Sequence, residues 1–382
     1  MKNSKSMKSL FKILLIGVAL WIPVTLQAKL DNNVSKQLRK RYKANRETQL
    51  NVINKYGNVI LNNWDKDSIA VQVIITAHGK NRETSQKLLD RTDVEFSENG
   101  QVISMITELD KSQGWLKDLW NELSEYSKNI LSKDQLDVDY EVYLPDYVDL
   151  KVQNKFGDVF LPDRKGYTQL ALSNGNLKCE NLLGSAVIDL SFGEADIASL
   201  AKATLYLKST ELDLAYAQDL VLKSNSSKIF IEEVKTLDIA SRTDRFRIDQ
   251  LDRLKGKGSF SKIRVYRISG NVRVDMNYGF LNIDQVASTF NYIRVTGRST
   301  DFDMSFNSNS YFSAKIIAKD GKMNLPTDHN LKLTFTDGRE KFVQAAGNLG
   351  TIGSRKAELD IDAQGGKVAV SLIPFEPSSQ KN

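Results

Sequence analysis

Two pairs of acidic residues are the side chains in this sequence best suited to chemistry. Glu194 and Asp196 form the first pair, and Glu211 and Asp213 occupy the same places 17 residues later. Paired carboxylates can cleave a glycosidic bond by acid and base catalysis, or can hold a divalent cation. Neither a histidine nor a long cleft-forming loop accompanies them, so we expect no enzymatic activity.

Basic residues continue this pattern further along the chain, at Lys228, Arg245, Arg247, Lys262 and Arg264. Stacked like charges cost on the order of a few tenths of a kcal/mol per pair, which a protein can tolerate for a binding surface. The simpler interpretation is a solvated face on which Glu211 pairs with Lys228. We name these nine acidic and basic residues the charged surface and treat it as the candidate interaction surface.

Residues that bind metals or act as nucleophiles are scarce. Cys179 is the single cysteine and cannot form an internal disulfide, and its position predicts a buried side chain. His78 and His329 lie far apart in the sequence. The chain has no zinc-type spacing, nucleotide-binding loop or nucleophile motif. We therefore expect no catalytic residue, no metal and no cofactor.

An apolar repeat of 17 or 18 residues positions the charged surface. One column of the repeat is Leu161, Cys179, Ile197, Leu214, Ile231, Ile248, Val265 and Ile283. A second column, two residues earlier, runs from Val159 to Leu281, and this alternation is the period of a β-strand. Because one unit cannot bury its apolar face alone, the equal steps predict an all-β fold, a single-stranded parallel β-solenoid. The usual hand of parallel crossovers favours a right-handed coil.

A turn residue precedes each of these strands, and the column is Gly157, Gly175, Gly193, Thr210, Ser227, Asp244, Ser261 and Gly279. We name it the turn column: all of its residues are tolerated in turns, and its glycines can adopt positive φ without a Cβ clash. After Ile283 the step widens to 21 residues. This spacing predicts that the repeat of Met304 is followed by that of Met323.

The N-terminal part contains an earlier copy of the same motif. Residues 54–59 match residues 154–159 at an offset of 100, which predicts that this part forms the first rungs and a cap. Two helical insertions are predicted, at 82–91 and 115–131. The second carries Trp115 and Trp120, and its apolar face fits either a cap over the core or a membrane surface.

The N-terminus has the pattern of a secretory signal peptide, with lysines followed by a short apolar stretch. A basic segment follows it. The signal peptide carries +4 and the basic segment +6, so the remainder of the chain is −4 and nothing supports nucleic-acid binding. The basic segment is either a solvated arm or a contact for anionic lipid. The predicted divisions are the signal peptide 1–28, a lead-in arm 29–46, a β-rich region 47–150, repeats 151–372 and a tail 373–382.

Several motifs resemble one bacterial family: the Tyr/Phe-Gly-Asn/Asp-Val units at 56–59 and 156–159, and the segments 64–67, 87–90 and 143–152. The chain resembles the adhesin-like β-strand-repeat family of unknown function found in Bacteroidetes and is similar to autotransporter adhesin head domains. The likeness covers about residues 47–372. It implies a β-helical fold and an envelope location, and it supplies no catalytic residue.

The sequence therefore predicts an exported, non-catalytic binding or scaffold protein of the periplasm, outer membrane or cell surface. Its ligand would be an unidentified protein or glycan. One alternative is a sensory or regulatory envelope component that acts with a membrane partner through residues 29–46 or 115–131. The other alternative is a carbohydrate-active enzyme that uses the four acidic residues.

Overall fold

The computed structural model describes residues 32–109, 135–327, 331–336, 342–350 and 357–374, which form an all-β structure with one helix. The predicted signal peptide, the predicted second helix with Trp115 and Trp120, and most of the predicted tail lie outside the described residues. No helix in the described ranges is long and apolar enough to cross a bilayer.

The N-terminal part combines short strands with the one helix. Its elements are β1 (Asn33–Lys43), β2 (Gln49–Lys55), β3 (Val59–Asn63), β4 (Ser68–His78), α1 (Arg82–Arg91), β5 (Asp93–Asn99), β6 (Val102–Glu108), β7 (Leu136–Leu144), β8 (Asp149–Lys155) and β9 (Val159–Leu161). Helix α1 has the predicted bounds and begins after Asn81, whose side-chain oxygen accepts a hydrogen bond from the Thr84 N–H.

The middle of the chain follows the repeat. Its strands are β10 (Thr168–Ser173), β11 (Leu177–Asn225), β12 (Lys228–Arg242), β13 (Arg245–Ser259), β14 (Lys262–Ile268), β15 (Val272–Asn277), β16 (Phe280–Val286), β17 (Tyr292–Arg298) and β18 (Asp301–Asn307). They pair in parallel with partners one repeat away, so that Ile231, Ile248, Val265 and Ile283 are successive neighbours. All eight residues of the predicted apolar column are buried.

The predicted match between residues 54–59 and 154–159 is also a pairing in space. Strands β2 and β8 are parallel neighbours at an offset of 100 residues, with Asn54 opposite Asn154. On its other edge β2 pairs with β6, which comes later in the sequence. The chain therefore forms the inner strand β2 first and the outer strand β6 later. It then returns to place β8 on the inner side of β2.

The C-terminal part reverses this order. Its strands are β19 (Tyr311–Lys319), β20 (Lys322–Asn324), β21 (Leu331–Thr336), β22 (Phe342–Gly350), β23 (Ala357–Gln364) and β24 (Lys367–Ile373). The prediction that the repeat of Met323 follows that of Met304 is wrong, because β24 lies between them: Val370 pairs with Met304, and Val368 pairs with Met323. Each end is thus interleaved, and its outer strands cannot detach without disturbing a neighbour from elsewhere in the sequence.

The sheet is mixed, and the expectation of a purely parallel arrangement fails at both ends. Strand β4 pairs antiparallel with β1 and β7, β5 pairs with β6, and β22 pairs with β19 and β21. Antiparallel strands can follow one another through short turns, which suits segments that cover the end of a stack. Residues 33–43, predicted to lie in a lead-in arm, form the outer strand β1.

The left-handed backbone of the turns lies one residue before the turn column. None of the glycines at 157, 175, 193 and 279 has a positive φ; the residue just before each turn-column position does, including Phe156, Phe192 and Tyr278 at 54–61°. Glycine is needed for another reason. An added Cβ on Gly175 would overlap the carbonyl oxygen of Gly157 in the adjacent repeat.

Between Gly193 and Gly279, buried polar side chains replace glycine in the turn column. The Thr210 N–H donates to Ser227 Oγ at 3.2 Å, and the Ser227 N–H donates to Asp244 Oδ1 at 2.7 Å. The Asp244 N–H in turn donates to Ser261 Oγ at 3.1 Å. Each side chain therefore satisfies a turn amide of the neighbouring repeat, as buried backbone groups require.

Asp244 is the centre of this ladder, and we expect Asp244→Ala to lower the free energy of unfolding by about 2 kcal/mol. Its carboxylate also accepts hydrogen bonds from Ser224 Oγ at 2.7 Å and Ser241 Oγ at 2.6 Å, so alanine leaves several buried donors unpaired. Urea unfolding measures the effect, with the exposed Asp219→Ala as control. Equal midpoints for the two variants would contradict the role given to the buried carboxylate.

Candidate binding surface

The charged surface is outward-facing, as predicted: all nine side chains are exposed. Glu211, Lys228, Arg245 and Lys262 are successive cross-strand partners. Asp213 begins a second column that continues through Phe230 to Arg247 and Arg264. The repeat therefore brings seven of the nine residues into two adjacent columns on the same strands.

The acidic part of this surface makes few specific contacts. Lys228 Nζ donates to Glu211 Oε2 at 2.8 Å, which confirms the predicted pair across repeats. Among the described residues, no group of histidine, cysteine or acidic side chains is arranged to hold a metal ion. Cys179 is buried, as predicted, and burial raises the pKa of its thiol.

Arg247 and Arg264 of the basic part line an open groove of about 600 Å³. We name it the arginine groove, and its side chains come from three adjacent repeats: Arg247, Asp249, Arg264, Tyr266, Arg267 and Asp284. The side chains of Arg247 and Arg264 are 72% and 64% exposed. A partner can therefore reach both guanidinium groups.

Neighbouring repeats hold these arginines in place. The Arg247 guanidinium lies 5.3 Å from the centre of the Phe230 ring. Arg264 Nε donates to Asn282 Oδ1 at 3.1 Å and lies 3.4 Å from Asp284. These contacts use only part of the donors of each guanidinium, which has five N–H groups in a planar fork suited to carboxylate and phosphate.

Gln285 orients the third arginine. Its Oε1 accepts from Nε and from a terminal nitrogen of Arg267 at 3.0 and 2.7 Å, and its Nε2 donates to the Tyr266 hydroxyl at 3.2 Å. Sequence reasoning missed Arg267, Tyr266 and Gln285, because they lie beyond the point where the strict strand alternation of the repeat ends. The 18-residue spacing between Arg267 and Gln285 is the signal that could have found this pair.

The predicted basic arm forms a second, smaller surface. Arg39 and Arg41 of β1 line a groove of about 530 Å³ with Trp64 and Tyr143. Arg41 and Lys66 lie 5.5 and 4.9 Å from the centre of the Trp64 ring. Strand β1 holds these cations on an ordered sheet. Trp115 and Trp120, the remaining candidates, lie outside the described residues.

A column of aromatic side chains also escaped the sequence analysis. Aromatic residues stand immediately before turn-column positions at Tyr56, Phe156, Phe192, Phe260 and Tyr278. The rings of Phe260 and Tyr278 are stacked, with centroids 5.1 Å apart and planes 8° apart. We name these two residues the aromatic pair. Their recurrence before the turn residue was visible in the sequence.

Comparison with known proteins gives structural neighbours only. No family model and no curated protein matches the chain. Similar solved structures are a "putative adhesin" from Parabacteroides distasonis (9% identity; 87% of this chain and 97% of that chain; TM-score 0.28) and a "putative cell adhesion protein" from Clostridium sporogenes (9%; 89% and 100%; 0.18). A third is a "putative lipid binding protein" from P. distasonis (12%; 71% and 93%; 0.28).

The names of these solved structures are of the adhesin-like kind that the motif resemblance predicts. Identities of 9 to 12% and TM-scores of 0.18 to 0.28 carry no argument about ligand or activity. Any function has to be argued from the chain's own side chains.

Proposed function

We propose that the protein is a non-catalytic binding or scaffold protein of the bacterial envelope, built on a right-handed single-stranded β-solenoid. Support for the solenoid comes from parallel partners that are one repeat apart and from the continuous apolar column inside them. Stacked repeats offer an elongated surface on which outward side chains recur at fixed spacing. Such a surface suits recognition of an extended partner.

The arginine groove is the observation that carries this function. Three guanidinium groups from adjacent repeats are oriented by Phe230, Asn282 and Gln285 before any partner arrives. Preorganised arginines bind anionic groups well, because less side-chain freedom is lost on binding. The groove therefore favours a partner that carries carboxylate, sulfate or phosphate groups.

The envelope location rests on the sequence. The predicted signal peptide 1–28 favours export, and the motif resemblance favours the periplasm, the outer membrane or the cell surface. The lack of a catalytic role is part of the same proposal. Carboxylates such as those of Asp196 and Asp213 are exposed to solvent, and Glu211 is engaged by Lys228.

One observation favours the alternative of an envelope component that acts with a membrane partner. The outer face of the N-terminal cap presents Arg39 and Arg41 close to the exposed side chains of Ile74 and Tyr143. A surface that combines basic and apolar groups suits an anionic membrane. Binding of the R39Q/R41Q variant to phosphatidylglycerol vesicles, compared with wild type, tests this second candidate.

Removal of the groove charges tests the main proposal. We expect the R247Q/R264Q/R267Q variant to bind immobilised dextran sulfate at least about tenfold more weakly than wild type, because it loses three oriented cations. The matched control is R39Q/R41Q/K43Q, which removes the same charge from β1. Equal weakening in both variants would mean that only net charge matters, and an unchanged affinity in the groove variant would rule out the groove.

A further inference from the structure

The aromatic column occupies backbone positions that disfavour large side chains. Phe260 and Tyr278 have φ values of 55° and 54°, in the left-handed region that bulky residues avoid. Elsewhere in the column the same place is taken by small or polar residues, at Asn174, Ser209, Ser226, Thr243, Ser299 and Asp320. An aromatic side chain here adds strain, and such strain is concentrated at functional sites.

For three members of the column, a contact within the protein explains why an aromatic side chain is tolerated. A lysine ammonium lies over each ring, at 5.1, 5.3 and 5.7 Å from the ring centre: Lys55 over Tyr56, Lys155 over Phe156, and Lys208 over Phe192. A cation over an aromatic face is a favourable contact that offsets part of the strain. These three rings are therefore already engaged within the protein.

The aromatic pair differs from these rings. In the described structure no cation lies over Phe260 or Tyr278, since Ser259 and Asn277 stand where lysines precede Tyr56 and Phe156. Both rings are exposed, by 56% and 52%. The small residues Thr243 and Ser299 occupy the column positions on either side of the pair. The face of each ring that points away from the other ring therefore adjoins an open space. This space is about as deep as the distance between adjacent strands, about 4.8 Å.

Polar groups surround this space. The groove beside the pair has a volume of about 620 Å³ and is lined by Lys262, Phe280, Ser299 and Asp301 as well as the two rings. The Lys367 N–H donates to Asp301 Oδ1 at 2.8 Å, which fixes the orientation of that carboxylate. A ligand that stacks on Tyr278 would thus meet a hydrogen-bond acceptor and a cation.

This groove lies beside the arginine groove. Lys262 lines the first and Arg264 lines the second, and these two residues of β14 are about 7 Å apart along the strand. Stacking faces and oriented guanidinium groups therefore lie in one line on the outside of the repeats. Such a combination suits a chain of linked rings that carries negative charge.

We infer that this strip binds an acidic polysaccharide, with a sugar ring stacked on the aromatic pair and a carboxylate bound by the arginine groove. The inference rests on the proposed function and names its ligand class. Sugar rings present apolar C–H faces to aromatic side chains, while their hydroxyls pair with groups such as Asp301. The planar fork of Arg264 matches a carboxylate.

A nucleic acid would also stack on aromatic rings beside arginines. The charges in the strip favour a glycan, because Asp249, Asp284 and Asp301 stand among the cations. These carboxylates can accept hydrogen bonds from the several hydroxyls of each sugar ring, whereas the backbone of a DNA strand offers them no hydroxyl. The proposed envelope location also favours a glycan over a nucleic acid.

Calorimetry with oligogalacturonides tests the inference on the full mature chain. The F260N/Y278N variant is expected to bind at least about tenfold more weakly than wild type, the effect of losing a central aromatic contact. Asparagine is tolerated in this conformation, as Asn174 shows, and a circular dichroism melt verifies the fold. The matched control, Phe192→Asn, removes an exposed ring of the same column that Lys208 covers, and should bind like wild type. Tyr278→Trp, which keeps a stacking face, should also bind.

The outcomes separate this inference from the proposed function. Equal binding of methyl-esterified and free oligogalacturonides would overturn the part given to the carboxylate. Unchanged affinity of F260N/Y278N, together with a loss in R247Q/R264Q/R267Q, would overturn the sugar-stacking site and leave the anion-binding groove in place. Tighter binding of an oligothymidylate than of the oligogalacturonide would replace the glycan with a nucleic acid.

Discussion

Replacement of Arg164 by alanine is expected to lower the free energy of unfolding of the N-terminal repeats by about 4 kcal/mol, the largest effect that we predict. The side chain is fully buried. One terminal nitrogen donates to Asn63 Oδ1 at 3.0 Å and to the Pro145 carbonyl at 2.9 Å, and the other donates to the Val148 carbonyl. Alanine would leave a cavity and three acceptors without these donors.

The burial of a charge explains why this residue is so sensitive. Burial lowers the pKa of Arg164 to about 10, and the nearby carboxylates of Asp146 and Asp149 oppose that shift. The group therefore stays charged at neutral pH and depends on its carbonyl partners. It joins Asn63, the last residue of β3, to the turn between β7 and β8, two segments far apart in the sequence.

Hydrogen exchange of β3 and the 145–148 turn measures the effect of Arg164→Ala locally. Arg164→Met should cost about 2 kcal/mol, since methionine refills much of the volume but donates no hydrogen bond. Lys165→Ala, which removes an exposed neighbour in an ion pair with Asp146, should change exchange little. Wild-type protection in Arg164→Ala would refute the structural role of the buried guanidinium.

Gly175→Ala is the second substitution with a large expected effect, a loss of about 3 kcal/mol. A Cβ at this position would overlap the carbonyl oxygen of Gly157, and one at Gly193 would overlap that of Gly175. Backbone atoms of adjacent repeats cannot rotate away as a flexible side chain can. The added methyl group would have to separate two hydrogen-bonded repeats.

Thr210→Ala is the matched control, because the next position of the turn column naturally carries a Cβ. It loses the hydrogen bonds that Thr210 Oγ1 donates to the Leu190 and Lys208 carbonyls, for a cost of about 1 kcal/mol. Urea unfolding of both variants gives the comparison. If Gly175→Ala unfolds at the same urea concentration as Thr210→Ala, close approach is not the reason for glycine at 175.

Much of the candidate surface could be predicted, because an outward position follows from strand alternation alone. Arg247 and Arg264 face outward since Ile248 and Val265 beside them face inward. The groove itself could not be predicted. It depends on Arg267 and Gln285, whose pairing arises where one repeat meets the next, and on the left-handed backbone that exposes Phe260 and Tyr278.

Local patterns in the sequence specify the all-β fold, the step of 17 or 18 residues, helix α1 and the similarity between β2 and β8. Each of these features follows from a local pattern of apolar residues or from direct similarity between two segments. Both kinds of signal can be read from the sequence. Tertiary structure alone decided that β24 lies between β18 and β20, that β1 covers the N-terminal end, and which arginines share a groove. The physical reason is that these features depend on which strand edges meet after the chain returns from a distance, and backbone hydrogen bonds along an edge are nearly the same for any sequence.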